Sequence, residues 1–449
     1  MTGDKRAQFK EWLASGKAQL QPLTFPQREL WESSPIPAAD TANHIGCFVH
    51  IHGVMTPTAA EAALQRVVER QEVLRLSILP GKERPVQMIR QSGAANFRYQ
   101  ELSAAECTDE GLEEKARAVF REPFDLVSGP LYRTEMWRRE SNEYVLVLAI
   151  HHAIADGWSL GVFVQDLCFA YVQAAMGFPN DPLPPVPQTY SAWGAAERAA
   201  WPPAELERLA AFWKKNLAGA KRLWPAPSAE AAREIPHRWV CHFPKDLADA
   251  AQELARASGA TLYSTLLAAF QIALGRWTGE HDAVLGTPVA NRTTQSSRET
   301  MGSYAGIVPL RAPVDVDQAF SERLQAAHTA SVDAFTHAMP FAELVAALEE
   351  PSIPGRNPIF DVRFALQNHP MPDVSLHGLS AKLRMRSTGT ARFQMACEVT
   401  IVEQGLEVAW LFRPTMFPQS EIENLARLFN SVLAAACRTP ESRISALLP

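Results

Sequence analysis

The stretch "YVLVLAIHHAIADGWSLG", from Tyr144 to Gly161, joins a strand pattern to a helix pattern through a short turn. Its first seven residues are continuously apolar, as in a strand that is buried on both faces of a sheet. A helix pattern starts at about Trp158. The stretch therefore predicts an α/β fold. Its polar residues also match two different active-site patterns. Each pattern predicts a different reacting side chain.

Residues 157–161 spell G-x-S-x-G, the pattern of a serine-hydrolase nucleophile elbow. An elbow places its serine on a tight turn directly after a buried strand, whereas Ser159 comes nine residues after Ile150, the end of the apolar run. The sequence contains no oxyanion loop of the H-G-G-G type. We therefore expect Ser159 to be a structural residue in the first helical turn, where its hydroxyl satisfies a free backbone N–H.

The other pattern is His151-His152-x-x-x-Asp156-Gly157. Consecutive strand residues point to opposite faces, so we do not expect the two histidines to bind one metal ion. One histidine would pack inside the fold and the other would face a cleft, while Asp156 would hold the turn by pairing with a cation. A histidine that only packs at a strand end, followed by an ordinary Asp-Gly turn, has the same sequence pattern. This pattern alone therefore leaves a structural and a catalytic interpretation open.

Composition limits the class of protein. The chain has 449 residues, 47% hydrophobic and 20% charged, as in ordinary globular proteins, and this length predicts two or three domains. The net charge of −6 argues against a nucleic-acid or anionic-membrane surface, and no apolar run approaches the ~20 residues of a membrane helix. The six cysteines form no C-x-x-C and no Cys/His cluster, so we expect reduced thiols, no metal site and a cytoplasmic protein.

A proline-rich segment, residues 178–203, divides the chain. Its seven prolines prevent a continuous helix or central strand and indicate a semi-rigid linker. Both flanking parts mix strand and helix patterns, so we expect an N-terminal lobe over residues 1–177 and a C-terminal lobe over residues 204–449. The clearest patterns are strands over 144–150 and 282–290 and helices over 58–74, 260–277 and 420–437, the last with Ser420 and Glu423 as a capping box.

The segment "HHAIADGWS", residues 151–159, resembles the active-site motif of condensation domains from nonribosomal peptide synthetases. Further segments resemble other motifs of that family, in the family's order. They are "LTFPQRELW" from Leu23 to Trp31, "RQEVLRLSI" from Arg70, "GTPVANR" from Gly286 with "MGSYAGIVPLR" from Met301, "HAMPFAELV" from His337 and "RNPIFDVRFALQN" from Arg356. The chain departs from the family at Gly306, where an asparagine is usual, at Gln394, where an aspartate is usual, and at "TYSAW" from Thr189, the remainder of one motif.

The resemblance implies two lobes, each similar to chloramphenicol acetyltransferase, that meet in a V-shaped pseudodimer with a channel between them. It places His152 midway along the channel, where carrier-protein phosphopantetheine arms bring an acyl donor from one end and an amine acceptor from the other. It also implies that Asp156 pairs with an arginine, for which we choose Arg292. No cofactor would be bound, because the substrates themselves arrive on phosphopantetheine.

Amide formation from a thioester needs a neutral amine, a path for its proton and support for the oxyanion. Histidine can accept a proton near pH 7, so His152 would act as general base or would orient the attacking amine, and both alternatives stay open. The N–H of Gly157, near the start of the helix, would donate to the oxyanion. We expect His151 to hydrogen-bond inside the first lobe and Trp158 to pack rather than to contact substrate.

Other families share part of the pattern. Plant-type acyl-CoA acyltransferases have H-x-x-x-D but also a D-F-G-W-G segment that this chain lacks, and heterocyclising domains have aspartates in place of the histidines. Epimerisation domains share H-H-x-x-x-D-G but usually continue differently where this chain has "WSLGVFVQDL". A non-catalytic carrier-binding module would have lost His152. We rank epimerisation second and the non-catalytic module third.

Only 22 residues precede Leu23, and their pattern is that of one short helix. If Met1 is the natural start, we expect no carrier domain upstream. We therefore expect a starter-type domain, which N-acylates the first amino acid of a natural product such as a lipopeptide. Its donor would be acyl-CoA or a separate acyl carrier protein, and its acceptor a peptidyl carrier protein. The chain would be a monomer or part of a larger synthetase. An ordinary elongating domain is the alternative.

Overall fold

The computed structural model describes most of the chain. The described residues are 3–30, 43–81, 84–178, 181–228, 231, 234, 236–351, 353, 355–367, 373–376, 378–386 and 393–447. Trp31 and Asn368, the last residues of two motifs quoted above, lie outside the described residues.

The described residues up to 178 form seven strands, five α-helices and a 3₁₀ helix over Glu72–Arg75. The strands are β1 (Ala18–Pro22), β2 (His44–His52), β3 (Leu76–Leu79), β4 (Val86–Arg90), β5 (Phe97–Glu101), β6 (Tyr132–Glu140) and β7 (Glu143–His151). The helices are α1 (Gly3–Ala14), α2 (Phe25–Arg28), α3 (Pro57–Arg70), α4 (Asp109–Arg121) and α5 (Gly157–Ala175). The quoted stretch thus forms β7, a short turn and the start of α5, as its pattern predicts.

The described residues from 181 onward form eight strands and nine helices. The strands are β8 (His237–Pro244), β9 (Val284–Val289), β10 (Gly306–Arg311), β11 (Val362–Gln367), β12 (Asp373–Leu376), β13 (Leu379–Arg386), β14 (Met395–Val402) and β15 (Gly405–Phe412). The helices are α6 (Tyr190–Ala199), α7 (Pro203–Asn216), α8 (Lys245–Ala257), α9 (Leu262–Thr278), α10 (Gln295–Arg298), α11 (Phe320–Thr336), α12 (Phe341–Leu348), α13 (Gln419–Arg438) and α14 (Ile444–Leu447).

The described strands form two six-stranded sheets and a smaller three-stranded one. The first large sheet has the order β12-β13-β2-β7-β6-β5, the second has the order β10-β9-β11-β14-β15-β8, and the small sheet has the order β1-β4-β3. β7 is buried along nearly its whole length because it lies between β2 and β6 and is covered on both faces. This position explains why its sequence is continuously apolar.

Each large sheet has its own hydrophobic core. The first core gathers side chains from β2, β7, α3 and α5, and the second gathers side chains from α9, α13, β14 and β15. These two cores confirm the predicted α/β class with two lobes. The strands β12 and β13 extend the first sheet although they come late in the chain, and Leu379, Ala381 and Leu383 of β13 belong to the first core.

The helix and strand patterns agree with the structure except at some ends. The helix predicted over 58–74 ends four residues early, at Arg70, because the backbone of Gln71 is extended. α9 and β9 lie within the predicted ranges 260–277 and 282–290, save that α9 ends one residue later, at Thr278. The predicted capping box of Ser420 and Glu423 is wrong, because α13 begins one residue earlier and Pro418 is its N-cap, without a side-chain cap. Glu423 instead accepts a hydrogen bond from Gln419 Nε2 at 2.8 Å.

Part of the proline-rich segment is helical. Helix α6 begins after the run of prolines, where Thr189 caps it by accepting a hydrogen bond from the N–H of Ala192 at 3.3 Å. Tyr190 at its start is completely buried in the first core. The second part of the segment is therefore a packed connection, while the boundaries at residues 177 and 204 stay a prediction.

One test bears on membrane insertion. Among the described residues no single helix is long and apolar enough to cross a membrane. Taken together, α8 and α9 are long and apolar enough by length and composition alone, but they are bent by 109° to each other.

Candidate active site

The turn after β7 gives its two histidines different surroundings. His151 is 7% exposed, and its Nδ1 accepts a hydrogen bond from the N–H of Ala153 at 3.1 Å, so the predicted bond inside the first lobe is present. His152 is half-buried, and its N–H donates to the carbonyl oxygen of Asn43 at 2.6 Å. The backbone at His152 is thereby fixed by a hydrogen bond to the residue that precedes β2.

Asp156 ends the turn and is the N-cap of α5, where its carboxylate accepts the N–H of Ser159 at 2.9 Å. The same carboxylate accepts from Arg292 Nη2 at 2.8 Å and Nε at 3.3 Å, and both side chains are almost fully buried. The N–H of Tyr304 donates to Asp156 Oδ2 at 3.2 Å. The ion pair chosen from the sequence is therefore present, and it joins the first lobe to the second.

Ser159 is the third residue of α5 and is completely buried. Its hydroxyl oxygen lies 2.8 Å from Asp156 Oδ1 and 2.9 Å from the carbonyl oxygen of Gly302, and it accepts from Arg292 Nη2 at 2.8 Å. The N–H of Gly302 also donates to it, at 3.1 Å. A buried hydroxyl that is held by these structural partners is poorly placed to attack a substrate, so the geometry disfavours a serine hydrolase.

Gly157 and Trp158 begin the helix. As the first residue of α5, Gly157 has one of the N–H groups that cannot find a partner within the helix. Trp158 is half-buried, and its indole N–H donates to the carbonyl oxygen of Arg298 at 3.0 Å. The guanidinium carbon of Arg292 lies 5.9 Å from the Trp158 ring and 4.0 Å from the Tyr304 ring. Trp158 therefore makes a contact between the lobes.

Residues 298–304, which we call the docked segment, belong to the second half of the chain but form hydrogen bonds with residues of the first lobe. Gln71 is fully buried, donates from Nε2 to the carbonyl oxygen of Glu299 at 3.2 Å, and accepts the N–H of Met301 at 3.0 Å. Its Nε2 also donates to Asp166 at 2.8 Å, and Arg70 binds the same carboxylate at 2.8 Å.

Burial raises the pKa of Asp166. Sequence reasoning did not single out Gln71 or Asp166. Gln71 lies in the motif segment that begins at Arg70, and Asp166 is a lone carboxylate in the largely apolar helix α5, which is the signal that could have found it.

The residues at which the chain departs from the family pattern lie in different parts of the structure. Tyr190 of "TYSAW" supports the docked segment, because its hydroxyl donates to the carbonyl oxygen of Ser303 at 2.8 Å. Gly306 opens β10, and a Cβ there would lie 3.1 Å from Asn291 Nδ2. Gln394 is buried, with its Nε2 3.5 Å from the carbonyl oxygen of Pro225.

The fold and the site together define a class of protein. Two α/β lobes, with a histidine at the end of a central strand and a buried carboxylate–arginine pair behind it, have the architecture of chloramphenicol acetyltransferase-like acyltransferases. Within that class, the family model of the condensation domain matches residues 17–448. The chain belongs to the condensation domain family. Condensation domains are acyltransferases that form amide bonds in nonribosomal peptide synthesis, from substrates tethered to phosphopantetheine.

Relatives and solved structures agree with this assignment. One of the linear gramicidin synthase proteins of Brevibacillus parabrevis is 28% identical over 441 residues, which cover 95% of this chain and 9% of the relative. The chain thus spans about a tenth of the length of that relative.

Two crystal structures are similar in fold. The X-domain from teicoplanin biosynthesis has a TM-score of 0.82 at 22% identity, covering 95% of this chain and 97% of the other. The starter condensation domain of rhizomide synthetase, a variant in complex with C8-CoA, has a TM-score of 0.81 at 21% identity, with the same two coverages. At these identities the likeness establishes the fold, and it confirms the predicted acetyltransferase-like architecture.

Proposed function

We propose that this condensation domain is of the starter type and transfers an acyl group from acyl-CoA or an acyl carrier protein to the amine of a carrier-bound amino acid. The observation that carries amide formation is the placement of His152, half-buried at the end of β7 beside a turn braced by a buried ion pair. The starter assignment is supported by the likeness to a starter domain in complex with C8-CoA.

In the proposed reaction the amine nitrogen attacks the thioester carbonyl. The new C–N bond forms a tetrahedral intermediate, the C–S bond then breaks, and the proton lost by the amine neutralises the thiolate that leaves. His152 takes up that proton as general base, or it orients the amine by a hydrogen bond. The two alternatives differ in how the rate depends on pH.

The oxyanion of the intermediate needs a hydrogen-bond donor. Gly157 is the proposed donor because its N–H lies at the N-terminus of a helix of 19 residues, where free N–H groups and the positive end of the helix dipole coincide. His152 and Gly157 are thus the proposed catalytic groups, one for the proton and one for the developing negative charge.

The other site residues are proposed to hold this turn in place. Asp156 and Arg292 neutralise each other, and every contact of Asp156 described above is to a hydrogen-bond donor. Ser159 and Trp158 bind the docked segment, and His151 closes the turn from inside the first lobe. None of these five residues transfers a proton in the proposal.

We propose lobes at residues 1–177 and 204–449 joined by residues 178–203, with β12 and β13 crossing back to the first sheet. The acceptor partner is a peptidyl carrier protein, and the donor partner is an acyl carrier protein unless free acyl-CoA is used. In this arrangement the two phosphopantetheine arms reach His152 from opposite ends of the channel between the lobes.

Intact-mass analysis of the carrier protein tests the proposal. A carrier-bound amino acid is incubated with this chain and a panel of acyl-CoAs, and separately with peptidyl carrier donors. N-acylation from acyl-CoA is the expected result. Product formed only from a peptidyl carrier donor would reassign the chain to the elongating type. Inversion of the amino acid without a gain in mass would indicate epimerisation.

A further inference from the structure

Gln27 is a buried glutamine of the short helix α2, and its side chain contacts the turn that carries His152. It is only 2% exposed, and its Nε2 donates to the carbonyl oxygen of Ala153 at 3.0 Å. Ala153 is the residue directly after His152. Gln27 takes part in none of the active-site contacts described above, so its side chain is a further polar group at this turn.

The partners of Gln27 fix the direction in which its amide group points. The backbone N–H of Thr24 can only donate, and it lies 3.0 Å from Gln27 Oε1. The carbonyl oxygen of Ala153 can only accept, so Nε2 must face it. Nε2 also donates to Gln87 Oε1 at 3.3 Å, and Gln87 is completely buried. The amide therefore has one arrangement in which its donors and its acceptor are all bonded.

Three hydrogen bonds hold the backbone around His152. Its own N–H donates to the carbonyl oxygen of Asn43 at 2.6 Å. The N–H of Ala153 donates to His151 Nδ1 at 3.1 Å, and the carbonyl oxygen of Ala153 accepts from Gln27. In the described part of the chain, no other donor is bonded to that carbonyl oxygen. Because the rotamers open to a side chain depend on the backbone dihedral angles, this restraint also acts on the imidazole of His152.

The same network continues from Gln27 to the docked segment. The N–H of Gln27 donates to Thr24 Oγ1 at 3.4 Å, and Thr24 Oγ1 lies 2.7 Å from the hydroxyl oxygen of Tyr190. The single hydroxyl hydrogen of Tyr190 is donated to the carbonyl oxygen of Ser303 at 2.8 Å, so Thr24 is the donor to Tyr190. Thr24 and Tyr190 are both completely buried. A buried network in which each group is bonded is rigid, and Gln27 joins this one to the turn of His152.

We propose that Gln27 is a positioning residue for amide formation, which holds the imidazole of His152 in its reactive direction through the carbonyl oxygen of Ala153. The inference rests on the proposed role of His152, and Gln27 does not touch the substrate in it. A displacement of about 1 Å at a reacting group can cost roughly 100-fold in rate. Loss of this restraint should therefore lower kcat and leave substrate binding largely unchanged.

Gln27→Met tests the proposal, because methionine has a similar length but neither donates nor accepts as an amide does. Amide formation on a carrier-bound amino acid is measured well below the melting temperature, with the acyl donor that the parent chain uses. We expect kcat to fall by about 10- to 100-fold, with KM within about twofold of the parent. Gln271→Met is the matched control, since Gln271 is a buried glutamine of the second lobe that accepts from Arg323. The control should lose stability but keep kcat. A parent kcat in Gln27→Met would overturn the proposal.

Two further measurements separate this inference from the role of His152. In a His152→Ala background, Gln27→Met should cause no further loss of rate, because the group on which it acts is gone. The NMR signal of the His152 imidazole, assigned by its absence in His152→Ala, should shift in Gln27→Met and not in Gln271→Met. An additive loss of rate or an unshifted imidazole signal would refute the positioning role. If His152→Ala itself forms amide at the parent rate, the proposed function fails instead.

Gln27→Glu keeps the shape of the side chain and serves if Gln27→Met does not fold. A protonated carboxyl can donate to the carbonyl oxygen of Ala153, whereas an ionised one cannot. Burial raises the pKa of a glutamate, to about 8–9 in documented cases, so the kcat of this variant relative to the parent should fall as the pH rises from about 6 to about 9. A ratio of the two kcat values that does not change with pH would contradict the proposal.

Discussion

His151 and His152 are neighbours in the chain, yet His151 is buried and His152 is half-buried. The difference arises because β7 ends at His151, whose side chain turns into the first lobe and closes the turn through Ala153. His152 follows directly after the strand, and its backbone is fixed by Asn43. A half-buried histidine whose backbone is fixed is suited to a proton transfer that requires a positioned side chain.

Replacement of His152 by alanine tests this at the level of one residue. We expect His152→Ala to lower the rate of amide formation by ~10²–10⁴, the usual contribution of a positioned acid–base group, without lowering the melting temperature. His242→Ala, at an exposed histidine of β8, is the control and should keep the parent rate. A His152→Ala variant that forms amide at the parent rate would remove His152 from the mechanism.

Asp156 and Arg292 allow a second prediction. Removing one partner leaves the other buried and unpaired, so Asp156→Ala should lose about 3–5 kcal/mol of stability. Asp249→Ala, which breaks an exposed pair with Lys245, should cost less than about 1 kcal/mol. Denaturant unfolding measures both. An Asp156→Ala protein with parent stability and no amide formation would instead give Asp156 a catalytic role.

At the scale of elements, α6 packs against the start of α2 through Glu197, which accepts the N–H of Phe25 at 3.3 Å. Burial raises the pKa of this carboxyl to about 7, although the hydrogen bond from Phe25 and the charge of Arg198 act to lower it. The protonated carboxyl is therefore favoured in the folded state. As pH rises from the ordinary glutamate pKa of ~4.3 towards about 7, the unfolded chain loses this proton first and the fold loses stability.

Glu197→Gln tests that sign, because glutamine keeps an acceptor for Phe25 and cannot ionise. We expect the variant to melt higher than the parent at pH 7.5 and to show a flatter dependence of melting temperature on pH between 5 and 7. Glu207→Gln, at an exposed position of α7, is the matched control and should follow the parent. Parallel pH profiles for the parent and Glu197→Gln would contradict the assignment.

For the whole molecule, the important feature is that the first sheet is built from strands of both halves of the chain. β2 pairs on one side with β7 and on the other with β13, which contributes Leu379, Ala381 and Leu383 to the first core. A fragment that lacks β13 would expose one edge of β2 and the apolar side chains that β13 covers. The lobes are therefore separate as cores but not as stretches of sequence.

A fragment of residues 1–203 tests this dependence. We expect it to aggregate or to bind a hydrophobic dye when it is produced alone, because the unpaired edge of β2 is a template for association. Co-production with residues 204–449 should restore soluble protein. A monomeric 1–203 fragment with a cooperative thermal transition would show that the first lobe does not need β13.

Much of the architecture could be predicted from local patterns. The apolar run before His151 predicts a central strand, and the helix pattern after Trp158 predicts α5, because periodicity reports which faces of one element are buried. The ends of elements were less predictable. The predicted capping box of Ser420 is wrong because α13 already begins at Gln419, with Pro418 as its N-cap.

By itself the sequence determined the β7–turn–α5 unit, the unequal surroundings of the two histidines and the membership of the chain in its family, because these depend on residues that are close in the chain or on motifs in order. Only the tertiary structure decided that Ser159 binds Gly302, that Gln71 holds the docked segment, and that β13 completes the first sheet. These contacts join residues far apart in the chain, and no local periodicity specifies which buried polar group meets which.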